Sequence, residues 1–397
     1  MDLKRTLLRN THAVLPDRTI DGASLLIRNG LIEQIFAAPT ESEVPQADSI
    51  VDLSGLTLFP GFIDLHIHGA VGVDTMDASV DDLSRLSEFL ASQGVTAWLP
   101  TFVPAPQSQY ESAITAVERL MNEQCDGGKY RSGARVIGVH YEGPFVNTSQ
   151  CGALHTEHFK SFSSPSDLDA LKTPGSGKSA RMITVAPEVD GGIALVTELN
   201  RRGWIISIGH TRANLETLDQ AFAAGARHMT HFMNAMPSLH HRLPGPVGWG
   251  LSRDDVTCDI IADGIHLDRF VLELLMKIKG GDRLALISDA IAAAGKGDGD
   301  YSIWGEIITV KDSRTSNSRG SIAGSVITML DAVRMMISIG VSDVEVARMA
   351  STNPVRLLGL DQECGTIAAG KRADLVALDK ARNVRLSMVG GLITFEA

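Results

Sequence analysis

The sequence predicts a (β/α)8 barrel of the TIM type joined to a small β-sandwich domain built from both chain termini. Three observations carry this expectation. Both ends are rich in short β-type runs separated by glycine turns. The middle alternates eight apolar strand-like runs with amphipathic helical ones, and residues able to bind metal close five of those runs. At 397 residues the chain exceeds what one hydrophobic core usually organises, and a large barrel with a smaller companion suits that length.

At the N-terminal end, Ser24–Pro39 reads as two apolar segments around Asn29-Gly30, a strong hairpin signal. Gly365–Asp379 and the final "MVGGLITFEA" repeat the pattern of short β runs and glycine turns. Termini often lie close together, so residues 1–56 and 364–397 are expected to form the small domain and 57–363 the barrel. The barrel strands are expected at Leu58–His66, Thr96–Phe102, Arg135–Glu142, Met182–Pro187, Trp204–His210, His228–His231, Thr257–Ala262 and Leu284–Asp289. Between them, Asp82–Gln93 carries Leu83, Leu86, Phe89 and Leu90 at helical spacing, and Leu215–Ala224 carries Leu215, Leu218 and Phe222. Gly94, Gly203 and Gly225 stand where helix C-caps are needed. Gly175–Lys178 and Ser313–Gly320 read as surface loops. A doubly wound open sheet would show a glycine-rich loop after its first strand, and "GFIDLHIHG" is not one.

Composition narrows the function. A net charge of −11 argues against a nucleic-acid or membrane-surface partner. No apolar run reaches about 18 residues, and Leu7-Leu8 is followed at once by Arg9 and Asn10, so neither a membrane span nor a signal peptide is expected. Cys125, Cys151, Cys258 and Cys364 are far apart without Cys-x-x-Cys spacing, which reads as reduced thiols in the cytoplasm.

The chemistry is expected at the strand ends. Strand one ends in His66-Ile67-His68, strand three in Glu142, and strands five, six and eight at His210, His231 and Asp289. In a barrel of this class all strand C-termini meet at one mouth. Residues i and i+2 share a strand face, so His66 and His68 both reach the axis. Imidazoles with carboxylates suit Zn²⁺ or a similar first-row ion with an open position for water. Such an ion brings the pKa of bound water from 15.7 to about 7. Asp289 is then placed to take the proton and pass it to a leaving group, and His266 to polarise a carbonyl oxygen. His240-His241-Arg242 is a dense cationic cluster near the expected mouth, and a guanidinium fork fits a phosphate.

In order along the chain stand "PGFIDLHIHG", "YEGPF", "IGHT", "THFMNAMPSLHHRLPGPVG", "ISDAIAAAG", "GSIAGSVITMLDAV" and "NPVRLLGL" with "GTIAAGKRADLVALD". From about Val51 to Asp379 this series resembles the N-acetylglucosamine-6-phosphate deacetylases of the amidohydrolase superfamily. The resemblance implies a main metal site on Glu142, His210 and His231, an acid/base at Asp289 and a carbonyl-polarising His266. It further implies a sugar phosphate held around Asn234, Ala235 and Arg242, with contacts from Ala153, Ala323 and Gly324. A homodimer with the phosphate site near its interface is implied too. The ion is expected to be zinc, with iron, manganese or cobalt as alternatives, at one ion per subunit or two if His66 and His68 hold a second. The loop "QCGALHTEHF" (Gln150–Phe159) departs from the family's "KGAH", placing His155 one residue away from the family's substrate-contacting histidine, with Cys151 beside it. The galactosamine epimer is therefore the close alternative substrate. A hydantoinase- or dihydroorotase-like cyclic amidohydrolase is the more distant one, since "VAPEVD" at strand four lacks a bridging lysine.

Overall fold

A computed structural model of the chain describes residues 5–125, 132–175 and 179–397. Most of the predicted loop Gly175–Lys178 lies outside these residues.

The two chain ends share one eight-stranded sheet. Its order runs Leu392–Glu396, Val384–Val389, Leu375–Leu378, Thr57–Pro60, Arg5–Val14, Thr19–Arg28, Leu31–Phe36, with Ser49–Asp52 also on Arg5–Val14. The Asn29-Gly30 hairpin forms as predicted. Arg28 pairs with Leu31, and both turn residues have positive φ, 54° and 76°. Leu8, Leu25, Ile32, Leu58, Leu375 and Met388 make a separate core under this sheet, drawn from both termini.

The middle of the chain is a (β/α)8 barrel. Its parallel strands are Phe62–Ile67, Val95–Phe102, Gly138–Glu142, Ala180–Val185, Ile205–Ile208, His228–Met229, Thr257–Ile261 and Leu284–Ile287. All eight predicted runs are present, but the first is split. Thr57–Pro60 belongs to the terminal sheet, pairing with Leu375–Leu378, and Phe62–Ile67 to the barrel, pairing with Val95–Phe102. The chain passes between them at Gly61, where a Cβ would lie 2.2 Å from the Thr96 methyl. Pro60-Gly61 marks this change of sheet inside a stretch that otherwise reads as one strand.

The seam between the last and first barrel strands has no extended backbone ladder. The buried Asp64 carboxylate bridges it, accepting from the Ser288 hydroxyl (2.5 Å) and amide (3.2 Å) and from the His66 amide (3.3 Å). Backbone bonds at its upper end complete it, from the Asp289 amide to His66 O at 2.9 Å and from the His68 and Gly69 amides to Ala290 O at 2.8 and 3.0 Å.

Helices pack outside as the periodicity predicts. Val80–Ser92 starts at a capping box of Ser79 and Asp82 and buries Leu83, Leu86 and Leu90. Each such side chain contributes about 1.5–3 kcal/mol on leaving water. Leu215–Ala224 is capped by Asn214 and ends at Gly225, whose φ is 124°. After the eighth strand the chain makes a three-stranded antiparallel sheet, Gly299–Ile303, Glu306–Lys311 and Arg314–Ser316. The predicted loop Ser313–Gly320 thus contributes a strand. Among the described residues no helix is long and apolar enough to cross a membrane.

Candidate active site

His66 lies within the first barrel strand and His68 one residue beyond its end; Glu142 closes the third. His210, His231 and Asp289 each stand two residues past a strand end, with φ of 47°, 29° and 50°. Left-handed backbone in such residues costs of order 1–3 kcal/mol each and persists only where neighbours enforce it. Here the neighbours are visible. His210 O accepts from the Asn147 amide at 3.0 Å, the His231 amide donates to Asp259 Oδ1, and Asp289 O accepts from the Ser325 amide at 2.7 Å. Each curl turns a side chain towards the barrel axis.

The side chains meet closely. Glu142 Oε1 lies 2.8 Å from His210 Nε2 and 3.0 Å from His231 Nε2, and these two nitrogens are 3.1 Å apart. On the other side, His68 Nε2 is 3.4 Å from Glu142 Oε2, His66 Nε2 is 3.7 Å from Oε1, and the two ring nitrogens are 3.1 Å apart. Asp289 Oδ1 is 3.3 Å from both His66 and His68. In each of the two sets, His66/His68/Glu142 and Glu142/His210/His231, the potential ligand atoms lie within 4.8 Å of one another.

This donor set fits a divalent cation. Four lone-pair nitrogens and two carboxylates crowd a buried space and need positive charge among them. His210 shows the bias directly. Its Nδ1–H donates to Gln150 O at 2.7 Å, which leaves the Nε2 lone pair facing the site, as for a metal-ligating imidazole.

With only protons available, the electrostatics are extreme. Burial alone would push the Glu142 carboxyl up, but His210 and His66 outweigh it and hold it well below the usual range. Burial opposes charge on His68 too, yet Asp289 and Glu142 raise it to about 10; His231 rises to about 9, against burial, through Glu142. Burial dominates at His66, pushing it well below an ordinary histidine.

Beneath the ligands lies a polar layer that sequence reasoning missed. Burial depresses His140 to about 4, so its ring is neutral. Nδ1–H donates to Leu65 O at 3.0 Å, and Nε2 accepts from the Thr184 hydroxyl at 2.8 Å. That polarity makes Thr184 accept from Thr230 (2.7 Å), which in turn accepts from Ser207 (2.5 Å). His140 stacks edge-on beneath His66, their ring centroids 4.6 Å apart. Asp259, buried in the seventh strand, supports the His231 amide and contacts His228 Nε2 at 3.0 Å. Asp263 receives Nδ1–H of His266 at 2.7 Å and the amides of Ile265 and His266. Burial would raise the Asp263 carboxyl, but His266 and the two amides hold it low and ionised. A carboxylate three residues before His266 was the available signal.

A cavity of about 310 Å³ opens above these groups. Of the residues implied for substrate, Ala153, Asn234, Ala235, His266 and Gly324 line it. Ala323 is fully buried behind Gly324, its amide donating to the Thr315 hydroxyl at 3.1 Å. His66 lies in the floor. Arg242 is exposed and stands beside His241, 2.6 Å between their nitrogens, outside the cavity lining. His155 turns away to Glu157 (3.3 Å) and Glu306 (3.9 Å), and Cys151 is half-buried before Gly152. Trp304, not singled out from the sequence, lines the cavity.

The Amidohydrolase family model matches residues 57–394. The chain is 34% identical over 393 residues to N-acetylglucosamine-6-phosphate deacetylase of Bacillus subtilis (strain 168), covering 98% of this chain and 97% of that protein. It is also 34% identical over 386 residues to N-acetylgalactosamine-6-phosphate deacetylase of Escherichia coli O157:H7, covering 97% and 98%. The crystal structure of N-acetylglucosamine-6-phosphate deacetylase from Thermotoga maritima matches with a TM-score of 0.87 at 33% identity, covering 98% of this chain and 100% of that one.

Proposed function

Because this chain belongs to the amidohydrolase family, we propose that it hydrolyses the acetamide of N-acetyl-D-glucosamine 6-phosphate, giving glucosamine 6-phosphate and acetate. The observation that carries this reading is Glu142 shared between two histidine pairs, with Asp289 beside one pair and a cavity above. Glu142, His210 and His231 would hold the first divalent ion, and His66 and His68 with Glu142 a second. When bound, the ion supplies Lewis acidity that brings water into its nucleophilic form near neutral pH. Zinc suits the nitrogen-rich set best, with iron, manganese or cobalt as alternatives.

The chain's own groups do the rest. Asp289 takes the proton of the attacking water and returns it to the sugar nitrogen as the C–N bond breaks. His266, its Nδ1–H held by the Asp263 carboxylate, donates Nε2–H to the carbonyl oxygen as negative charge develops. Asn234 and Ala235 receive the sugar end, and Ala153 and Gly324 close over it. Arg242 serves the phosphate from the surface. The apolar stripe Phe270, Leu274 and Ile278, exposed along the helix Arg269–Lys279, supports a homodimer that brings such surface groups to a site. We assign residues 5–60 and 364–397 to the small domain, its boundary moved past the expected residue 56 because Thr57–Pro60 pairs within the terminal sheet, and the four free thiols support a cytoplasmic setting.

The galactosamine epimer is a second reading, favoured by the equal 34% identity to enzymes named for either sugar. Cyclic-amide hydrolysis is disfavoured because the fourth strand, Ala180–Val185, offers no lysine and Glu142 is the residue common to both histidine pairs. The test is acetate release from both N-acetylhexosamines, with and without 6-phosphate, alongside metal analysis. Turnover that ignores the phosphate would remove Arg242 from the reading, and no acetate from any of the four would overturn it.

A further inference from the structure

The hairpin after the eighth strand ends in an unusual turn. Ile303 pairs with Glu306, so Trp304 and Gly305 alone make the connection, and their φ values are 51° and 76°. Asn, Asp or Gly usually occupy the first such position, because a side chain there is strained. A bulky residue in this conformation is an outlier that asks for a functional reason. The hairpin is also firmly seated. Ile303, Ile308 and Val310 pack on Ile291, Ala293 and Ala323, immediately beyond the strand carrying Asp289. Its tip therefore holds the indole in place over the mouth. The ring stands edge-on to His68, centroids 5.2 Å apart at 82°, and lines the cavity with Leu154 and Ile322.

We propose that Trp304 sets the length of acyl group the enzyme accepts. The inference rests on the deacetylase reading. Asn234 and Ala235 follow the sixth barrel strand, whereas Trp304 stands over His68 at the end of the first, three strands away around the barrel. Glu142, His210, His231 and Asp289 lie between. An acetamide centred over those groups, with its sugar towards Asn234, directs its methyl to the Trp304 side. The wall there is apolar, and the cavity, at about 310 Å³, is at the small end for ligand sites, so an added methylene meets the indole.

The test compares kcat/KM for N-acetyl, N-propionyl and N-butyryl glucosamine 6-phosphate in the wild type, Trp304→Ala and Trp304→Asn. Asparagine suits the left-handed turn, so that variant keeps the hairpin while removing the ring, and its thermal unfolding checks this. The wild type should lose roughly 10- to 200-fold per added methylene. Both variants should reduce that ratio to about threefold or less, mainly by improving the longer substrates. An equal loss on all three acyl groups, or unchanged ratios, overturns the inference while leaving the deacetylase reading intact. No acetate release by the wild type from either hexosamine epimer overturns both.

Discussion

Asparagine in place of Asp263 is a small change with a well-defined consequence. Oδ1 of Asp263 accepts from the amides of Ile265 (2.8 Å) and His266 (2.7 Å), and the asparagine carbonyl keeps both bonds. Oδ2 accepts Nδ1–H of His266 at 2.7 Å, and there asparagine would set N–H against N–H. The ring must then accept at Nδ1 as a neutral imidazole or turn away; the first removes the carboxylate-balanced charge behind Nε2–H and the second its aim, and either weakens its pull on a carbonyl oxygen. A hydrogen bond to a charged group contributes about 1.5–3 kcal/mol, or roughly 10- to 150-fold in rate. With side-chain exposures of 2% and 7%, solvent screening subtracts little from that figure. Acetate-release kinetics on N-acetylglucosamine 6-phosphate should show the loss in kcat, with KM moving less than about threefold. His266→Gln should cost more, and the double variant should be no worse than His266→Gln, because the carboxylate acts only through the ring. Multiplied losses in the double variant, or full activity in Asp263→Asn, would refute the reasoning.

Asp289→Asn should lower kcat by about 10²–10⁴ while metal content measured by elemental analysis is unchanged; near-normal turnover would exclude an acid/base role. In the metal-free protein, His68 at about 10 and His231 at about 9 bind protons more tightly than the unfolded chain does, whose histidines titrate near 6.5. Their stabilisation is fully present below pH 6.5 and is lost as pH rises through 9 to 10, so Tm without metal should fall over that window. Saturating zinc should flatten the decline by replacing those protons, and a flat metal-free profile would contradict the assignment. Gly324→Ala would place a Cβ 2.6 Å from the Ile291 methyl and 2.9 Å from Asp289 O, at φ +56°. It should destabilise by about 1–3 kcal/mol in a urea titration and lower kcat by displacing Asp289; unchanged values in both would show that the loop yields freely.

The barrel was legible because its strands are continuous apolar runs and its helices have clear 3.6-residue spacing. Each ligand closes such a run, where a buried histidine or carboxylate stands out against its neighbours. The change of sheet at Gly61 was missed although Pro60-Gly61 marks it, because the apolar residues on either side read together as one strand. The hairpin carrying Trp304 was hidden for the opposite reason. Ile303, Ile308 and Val310 alternate with exposed Ser302, Ile307, Thr309 and Lys311, a pattern too short and, with Ile307, too mixed to distinguish from a loop without the barrel surface it covers. The supports of the site were also missed. Asp259 acts on His231 through a backbone curl that no residue-type pattern announces, whereas Asp263 is three residues before the ring it holds, a spacing left unread.

Gly61 has a consequence for how the protein is made. The strand on its N-terminal side, Thr57–Pro60, is an inner strand of the terminal sheet, flanked by Arg5–Val14 and Leu375–Leu378. One of those neighbours leaves the ribosome early; the other emerges roughly 300 residues later, which at about 5–20 residues per second is a delay of about 15–60 s. During that interval an unpaired sheet edge is joined through a single glycine to the barrel strand that carries His66. The whole barrel can assemble while this edge waits, and the strand that covers it, Leu375–Leu378, is made after every barrel strand. Truncations near the C-terminus should therefore yield a chain with its metal-ligand residues complete and an open β edge, prone to pairing with other copies of itself.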